Sequence, residues 1–267
     1  MKVGIGLPNT TPGTTGELLA DWAREADRGP FSTLAVLDRL VYDALDPFLS
    51  LASAASVTSR IGLATMIAIG PLRSPAVLAQ QARSLHTLSG GRFTLGLGVG
   101  AREDDYEAAN ADIRTRGARL SEQLAHLRTH GENEVELLVG GGSGAAYARM
   151  ARYADGYAHG GGPPRAFASA AARARAAWRD LERPGAPKLW GQGYFALGDP
   201  ERGSAYLRDY YAFTGPFAEN IAAANLTSAR AVKDFVRGYE AEGCDELVLL
   251  PTVADPAEVE RLAEVLS

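Results

Sequence analysis

The sequence predicts a single α/β domain over residues 1–267, a (β/α)8 TIM barrel, and three observations predict it. Strand-like segments recur eight times, at 2–7, 33–37, 61–67, 93–98, 135–139, 156–159, 188–196 and 245–250, with helical patterns between them. The length of 267 residues suits one such barrel. The stretch 58–105 reads as a complete strand–helix–strand unit with short connections. An open doubly wound sheet is the alternative, but it needs a topological switch point that the sequence does not display.

In order along the chain, MKVGIGLP is a first buried strand. Thr14 and Glu17 form a capping box ahead of Leu18, Leu19, Trp22 and Ala26. Asp46-Pro47 opens a helix through Val57. Ile61 to Ile69 is apolar without alternation, as in a parallel strand covered on both faces. Ser74-Pro75 caps a helix whose Val77, Leu78, Gln81, Ala82, Leu85 and Leu88 share one face. Gly90-Gly91 ends it, and Phe93 to Leu97 begins the next strand. Residues 103–129 read as one long helical region broken near Gly117. Further helices follow at Ala145–Tyr153, in the Ala-rich run 166–177, after Asp199-Pro200, after Ser228 and after Asp255-Pro256.

Composition narrows the function classes. The net charge is −5, and no Lys/Arg cluster tracks one face, so nucleic-acid and anionic-membrane partners are not expected. No run of about 18 apolar residues exists to span a bilayer, and the start lacks the apolar core of a signal peptide. A cytoplasmic location is the expectation. Cys244 is the one cysteine, so there is no disulfide framework. No HxxxH or carboxylate cluster suggests a metal, and no GxSxG or Cys–His pattern suggests a nucleophile.

Several strand ends carry residues suited to chemistry, each with a second, structural reading. Gly140-Gly141-Gly142-Ser143-Gly144 follows a strand and precedes a helix, where backbone N–H groups and the helix N-terminus favour an anion. The other reading is a tight βα turn. Gly98-Val99-Gly100-Ala101-Arg102 is either a backbone wall for a planar ring with Arg102 near a phosphate, or a tight turn with a solvated arginine. Asp38-Arg39 closes strand two, either as charge at the barrel mouth or as an ion pair holding the loop. His159 ends strand six among glycines, as an acid/base candidate or a structural histidine. Tyr194, Phe195, Tyr210, Tyr211 and Phe213 read mainly as packing, with Tyr194 also placed to point into the mouth.

Taken together, MKVGIGLP, LAVLDRL at 34–40, DPFLSLASAASVTSRIGLAT at 46–65, LSGGRFTLGLGVG at 88–100, LLVGGGS at 137–143, ARYADGY at 151–157 and CDELVLLP at 244–251 resemble the luciferase-like monooxygenase superfamily, the flavin- or deazaflavin-dependent oxidoreductases. The resemblance covers nearly the whole chain in order. It implies a reduced flavin, FMN or coenzyme F-420, across the barrel mouth, and a small-molecule substrate. It also implies a homodimer, with a flavin reductase as a possible source of reduced cofactor. It assigns the cofactor phosphate to Gly140, Gly141, Gly142 and Ser143, and the ring surroundings to Thr65, Met66, Ile67, Gly98, Gly100 and Arg102. A non-proline cis peptide is implied at Met66–Ile67. Asp38, Arg39 and His159 become the catalytic candidates.

Two departures from the family pattern stand out. Some deazaflavin-dependent relatives carry a carboxylate just after the strand-four glycines, where this chain has Ala101, with Glu103 two residues on. The excursion after strand four that helps cover the substrate cavity is shortened here, at 130–135. Three readings follow: a monooxygenase using reduced flavin and oxygen, with deazaflavin hydride transfer as the alternative; a flavin-binding protein without turnover; and a barrel enzyme taking a phosphorylated substrate at 140–144.

Overall fold

The computed structural model describes residues 1–129 and 134–267. Nine parallel strand segments close into a barrel: β1 (Lys2–Gly6), β2 (Thr33–Val36), β3 (Gly62–Thr65), β4 (Ala68–Ile69), β5 (Phe93–Gly98), β6 (Glu136–Gly140), β7 (Gly156–Ala158), β8 (Lys188–Phe195) and β9 (Glu246–Pro251). β3 and β4 are two halves of one stave. Leu63 registers with Phe93 and Ala68 with Leu97, so both halves pair with β5. The result is an eight-stave TIM barrel, closed where β1 meets β9, with Lys2 opposite Glu246 and Ile5 opposite Leu249.

Helices α1 (Gly16–Arg28), α2 (Pro47–Val57), α3 (Pro75–Leu88), α4 (Glu103–Ala108), α5 (Arg116–Thr129), α6 (Gly144–Tyr153), α7 (Pro164–Asp180), α8 (Pro200–Tyr210), α9 (Phe217–Ala223), α10 (Ala229–Ala241) and α11 (Ala257–Leu266) alternate with the strands. Their starts follow from local chemistry. Asp46, Ser74, Ser143, Asp199 and Ser228 each accept a backbone N–H of the first turn. Two details differ from expectation. Thr15 caps α1, because the Thr14 hydroxyl donates instead to the carbonyls of Pro8 and Thr11. The break in 103–129 falls before Gly117, between the end of α4 at Ala108 and the start of α5 at Arg116. Most of the expected shortening at 130–135 lies outside the described residues.

Strand alternation splits the core into two layers. Leu34, Leu63, Leu137, Tyr157, Leu189 and Leu247 face outward into the helix layer, with Trp22, Phe167 and Tyr239. Their neighbours Ala35, Ala64, Leu138, Ala158, Trp190 and Val248 face inward. That inner cluster continues out through the carboxyl end of the barrel. Tyr206, Leu207 and Tyr210 of α8 and Ala222 of α9 are buried against it, together with Met66 and Tyr194. The segment from α8 to α9 is therefore a cover packed onto the mouth. An isolated bridge from Phe195 to Leu226 ties its far end to β8.

Candidate active site at the carboxyl end of the barrel

The stave formed by β3 and β4 is interrupted at the mouth. Thr65 is fully buried, and its hydroxyl donates to the Gly96 carbonyl at 2.7 Å while accepting the Gly96 N–H at 2.9 Å. That clasp replaces the strand pairing lost at the interruption. The Met66–Ile67 peptide that follows is cis. Met66 is buried, but Ile67 is only half-buried and spreads over the inner side of β5 and β6. A Cβ on Gly98 would collide with Ile67 Cδ1, and one on Gly140 would lie 3.4 Å from Ile67 Cγ2. These glycines thus give Ile67 its place, and the mouth there is walled by glycine, alanine and one isoleucine. Gly100, at φ +67°, sits against Ile69 in the same way.

Asp38 and Arg39, adjacent after β2, serve different partners. Asp38 accepts the Ile69 N–H at 2.8 Å and takes Arg73 in a two-pronged pair, at 2.6 Å from Nη1 and 3.2 Å from Nη2. It fixes the chain just beyond the cis bond. Arg39 Nε lies 3.3 Å from Asp105 Oδ2, and Nη1 donates to the Tyr210 carbonyl at 3.2 Å. The other Asp105 oxygen accepts the N–H groups of Leu40 and Val41. The Arg39 guanidinium lies over the rings of Tyr210, Tyr42 and Phe213, at 4.6, 5.2 and 5.8 Å. Arg102 pairs with Asp104 and stacks on Phe213 at 4.9 Å. Arg39 and Arg102 therefore share one aromatic neighbour contributed by the cover.

The cover adds phenols. Tyr194 Oη and Tyr211 Oη are 2.5 Å apart, Tyr206 Oη and Thr10 Oγ1 are 2.7 Å apart, and Tyr42 donates to Asp209 at 2.6 Å. Burial pushes the Tyr194 and Tyr210 phenols well above their ordinary range, so they stay protonated at neutral pH.

The glycine loop lies at the edge of this mouth. Gly141 adopts φ +124°, a conformation that suits glycine, and Tyr157 Oη anchors it by donating to the Gly141 carbonyl at 3.0 Å. A Cβ on Gly142 or Gly144 would meet nothing within 4 Å. The Ser143 hydroxyl caps α6 by accepting the Ala146 N–H at 3.2 Å. The N–H groups of Gly144 and Ala145 have no acceptor among the described residues. Beside the loop runs a groove of about 430 Å³, walled by Gly141, Gly142, His159, Gly161 and Arg173. Arg173 escapes sequence reasoning because it stands in an Ala-rich helix, where an arginine looks like a solvated face.

His159 also lines this groove, but its ring turns outward from the barrel, toward α7 and α10. It packs edge-on to Phe167 at 5.7 Å, with Tyr239 at 6.4 Å. Burial lowers its pKa below the ordinary value, against an opposing contact with the Gly161 backbone, and its Nε2 is buried without a partner. The structure thus brings Asp38, Arg39, Arg102 and Thr65–Ile67 together around the mouth. It places Gly141, Gly142 and His159 on a groove beside the glycine loop, later in the chain. Among the described residues, no group of His, Cys, Asp and Glu is arranged to hold a metal, and no helix is long and apolar enough to cross a membrane.

The profile of the luciferase-like monooxygenase family matches residues 1–137, and the chain belongs to that family. An uncharacterised Mycobacterium tuberculosis protein is 34% identical over 143 residues, covering 45% of this chain and 49% of the relative. The 4-hydroxyprotoasukamycin monooxygenase of Streptomyces nodosus subsp. asukaensis is 38% identical over 89 residues, covering 32% of this chain and 24% of the relative. The first of these alignments spans about half the relative's length and the second about a quarter. Among solved structures, an F420-dependent secondary alcohol dehydrogenase superposes with TM-score 0.81 at 15% identity, over 99% of this chain and 98% of the other. A monooxygenase from Streptomyces bottropensis superposes with TM-score 0.76 at 18% identity, over 100% and 97%. These likenesses concern the fold.

Proposed function

We propose that the chain is an oxidoreductase that binds reduced FMN across the barrel mouth and, with molecular oxygen as oxidant, oxidises a small organic substrate; the alternative is hydride transfer between coenzyme F-420 and the substrate. The observation that carries this reading is the anion cradle at the glycine loop, beside the carboxyl end of the barrel. Half-buried Ile67 covers the buried Gly96, Gly98 and Gly140, and Gly142 and Gly144 of the following loop leave open space. A half-buried apolar side chain such as Ile67 suits a planar ring, and unpaired N–H groups at a helix start suit a phosphate. The residues fit such a group without rearrangement of the loop.

When bound, the reduced cofactor supplies the electrons of the reaction. The protein's own part is binding and exclusion of water. Gly141, Gly142, Ser143 and the first turn of α6 hold the phosphate, with Arg173 across the groove. Ile67, seated on the β5 glycines, carries the ring. Asp38 keeps the β4 backbone in place through Ile69 and Arg73. The α8–α9 cover takes over the closing role assigned by resemblance to the shortened region near 130, since Tyr206, Leu207 and Tyr210 pack on the inner cluster beside the mouth. With FMN the co-substrate is oxygen, and the chain is a monooxygenase fed by a flavin reductase.

A second reading, hydride transfer with coenzyme F-420, is favoured by the neutral phenols at the mouth, which suit a substrate oxygen that gains a proton. Aerobic assays with reduced FMN and anaerobic assays with coenzyme F-420 separate the two. Substrate-dependent oxygen uptake supports the first, and substrate-dependent change in deazaflavin absorbance supports the second. Binding without either supports a carrier. The protein is further proposed to act as a homodimer. Leu49 on α2 is 73% exposed and Val77 on α3 is 47% exposed, two apolar side chains on neighbouring helices.

A further inference from the structure

Two hydroxyls that meet carry two hydrogens, and one hydrogen bond uses only one of them. Tyr194 Oη and Tyr211 Oη meet at 2.5 Å, and neither has another acceptor among the described residues. One O–H of this part-buried pair is therefore unspent within the protein. Arg39 shows the same excess. It is only 8% exposed, yet Nη2 has no partner, and Nε faces Asp105 without hydrogen-bond alignment. Buried donors are ordinarily satisfied, so an excess of them at one place needs an explanation.

The excess donors sit on opposite sides of the mouth. Tyr194 belongs to the barrel wall and Tyr211 to the cover, directly after α8, and Arg39 follows β2. The Tyr210 ring links them, 5.0 Å from the Tyr211 ring and under the Arg39 guanidinium at 4.6 Å. The nearby carboxylates have other commitments. Asp38 holds Arg73, Asp104 holds Arg102, Asp209 accepts Tyr42, and Asp105 accepts two backbone N–H groups. Asp105 Oδ2, 3.3 Å from Arg39 Nε, is the one buried carboxylate oxygen there without a hydrogen bond among the described residues, which leaves Arg39 Nη2 and one tyrosine hydrogen in aromatic surroundings without an acceptor.

The geometry points to a substrate whose reacting oxygen is a phenolate or enolate, held by the Tyr211 and Tyr194 hydroxyls with Arg39 as the adjacent cation. Tyr211 is the contact residue, and Tyr194 positions it. Arg39 is paired with Asp105 through Nε but keeps Nη2 free to donate, and its charge lowers the pKa of Tyr211 against the stronger upward push of burial. The flat rings of Tyr42, Tyr210 and Phe213 suit an aromatic or conjugated body behind that oxygen. This inference deepens the proposed function and rests on the mouth being the substrate site.

The test uses the purified full chain without flavin and 4-nitrophenol as the probe, followed through its phenolate absorbance band. Saturable binding of the phenolate form is expected. Tyr211→Phe should weaken it by about tenfold, and Tyr194→Phe by about threefold. Tyr153→Phe, on α6 and away from the mouth, should leave it unchanged. Both mouth variants keep the ring and its packing, and unchanged melting temperatures show that they fold. Absence of saturable binding in the wild type, or equal affinity in a folded Tyr211→Phe, overturns the assignment. Flavin binding measured separately on the same proteins distinguishes this failure from failure of the cofactor reading.

Discussion

Arg39 and Asp105 form a buried charge pair across the barrel mouth, 3.3 Å apart, with side chains 5% and 1% exposed. The pair joins the loop after β2 to α4, and Asp105 also holds two backbone N–H groups of that loop. Removing one partner leaves the other charged and desolvated. Asp105→Ala should therefore cost about 3–5 kcal/mol of unfolding free energy, measured by urea titration. Asp105→Ala combined with Arg39→Leu should cost less than the two single changes added together. A near-neutral Asp105→Ala would show the pair to be solvated.

Asp38 is the hinge between β2 and the stave carrying the cis bond. Asp38→Asn keeps the size but loses the charge that faces Arg73. The loss of hydrogen bonds to a charged partner should cost roughly 1.5–3 kcal/mol. Circular dichroism melting of the variant checks this, and an unchanged midpoint would make Asp38 free for another role.

The glycine loop offers a clean pair of substitutions. Gly141→Val strains a residue at φ +124° and brings a Cβ within 3.0 Å of Ala146, so folding and binding are expected to fail together. Gly142 has open space around its Cβ position, so Gly142→Val should fold normally. Its flavin affinity should fall about tenfold, or about 1.4 kcal/mol, because the added side chain occupies the anion's place. Equal affinity in folded Gly142→Val would move the phosphate elsewhere.

His159 links stability to pH. Its folded pKa is lowered by burial, so the unfolded chain binds the proton more readily than the folded chain. The sign follows: its contribution is complete above the unfolded value of about 6.5 and is lost as pH falls below it. His159→Phe should therefore show a shallower drop in melting temperature from pH 8 to pH 5 than the wild type. Parallel pH profiles for the two proteins would show His159 to be solvated in the folded state.

The barrel was legible because parallel strands write themselves as apolar runs and their helices begin with Asp-Pro, Ser-Pro or Ser caps. The family motifs located the Met66–Ile67 cis peptide and the glycine loop. Other features depend on contacts distant in sequence. Nothing near Asp38 announces Arg73, and nothing near Arg39 announces Asp105, since both pairings are made by closure of the barrel. The sequence left charge at the mouth and a loop-holding ion pair as equal readings of Asp38-Arg39; the structure shows two separate pairs. Gly98 reads as a ligand wall, yet Ile67 already requires it. His159 follows β7 at the mouth but turns outward, because the two-residue strand alternation assigns it the side of Tyr157. The Tyr211–Tyr194 contact is likewise invisible in sequence, since it needs the cover to fold back over β8.

The most direct measurement is an anaerobic titration of the purified chain with reduced FMN and, separately, with reduced coenzyme F-420, followed by cofactor fluorescence. Saturable binding of one of them with one site per chain, weakened in Gly142→Val, is the predicted result. Absence of saturable binding by both, in protein that is folded and melts cooperatively, would contradict the account.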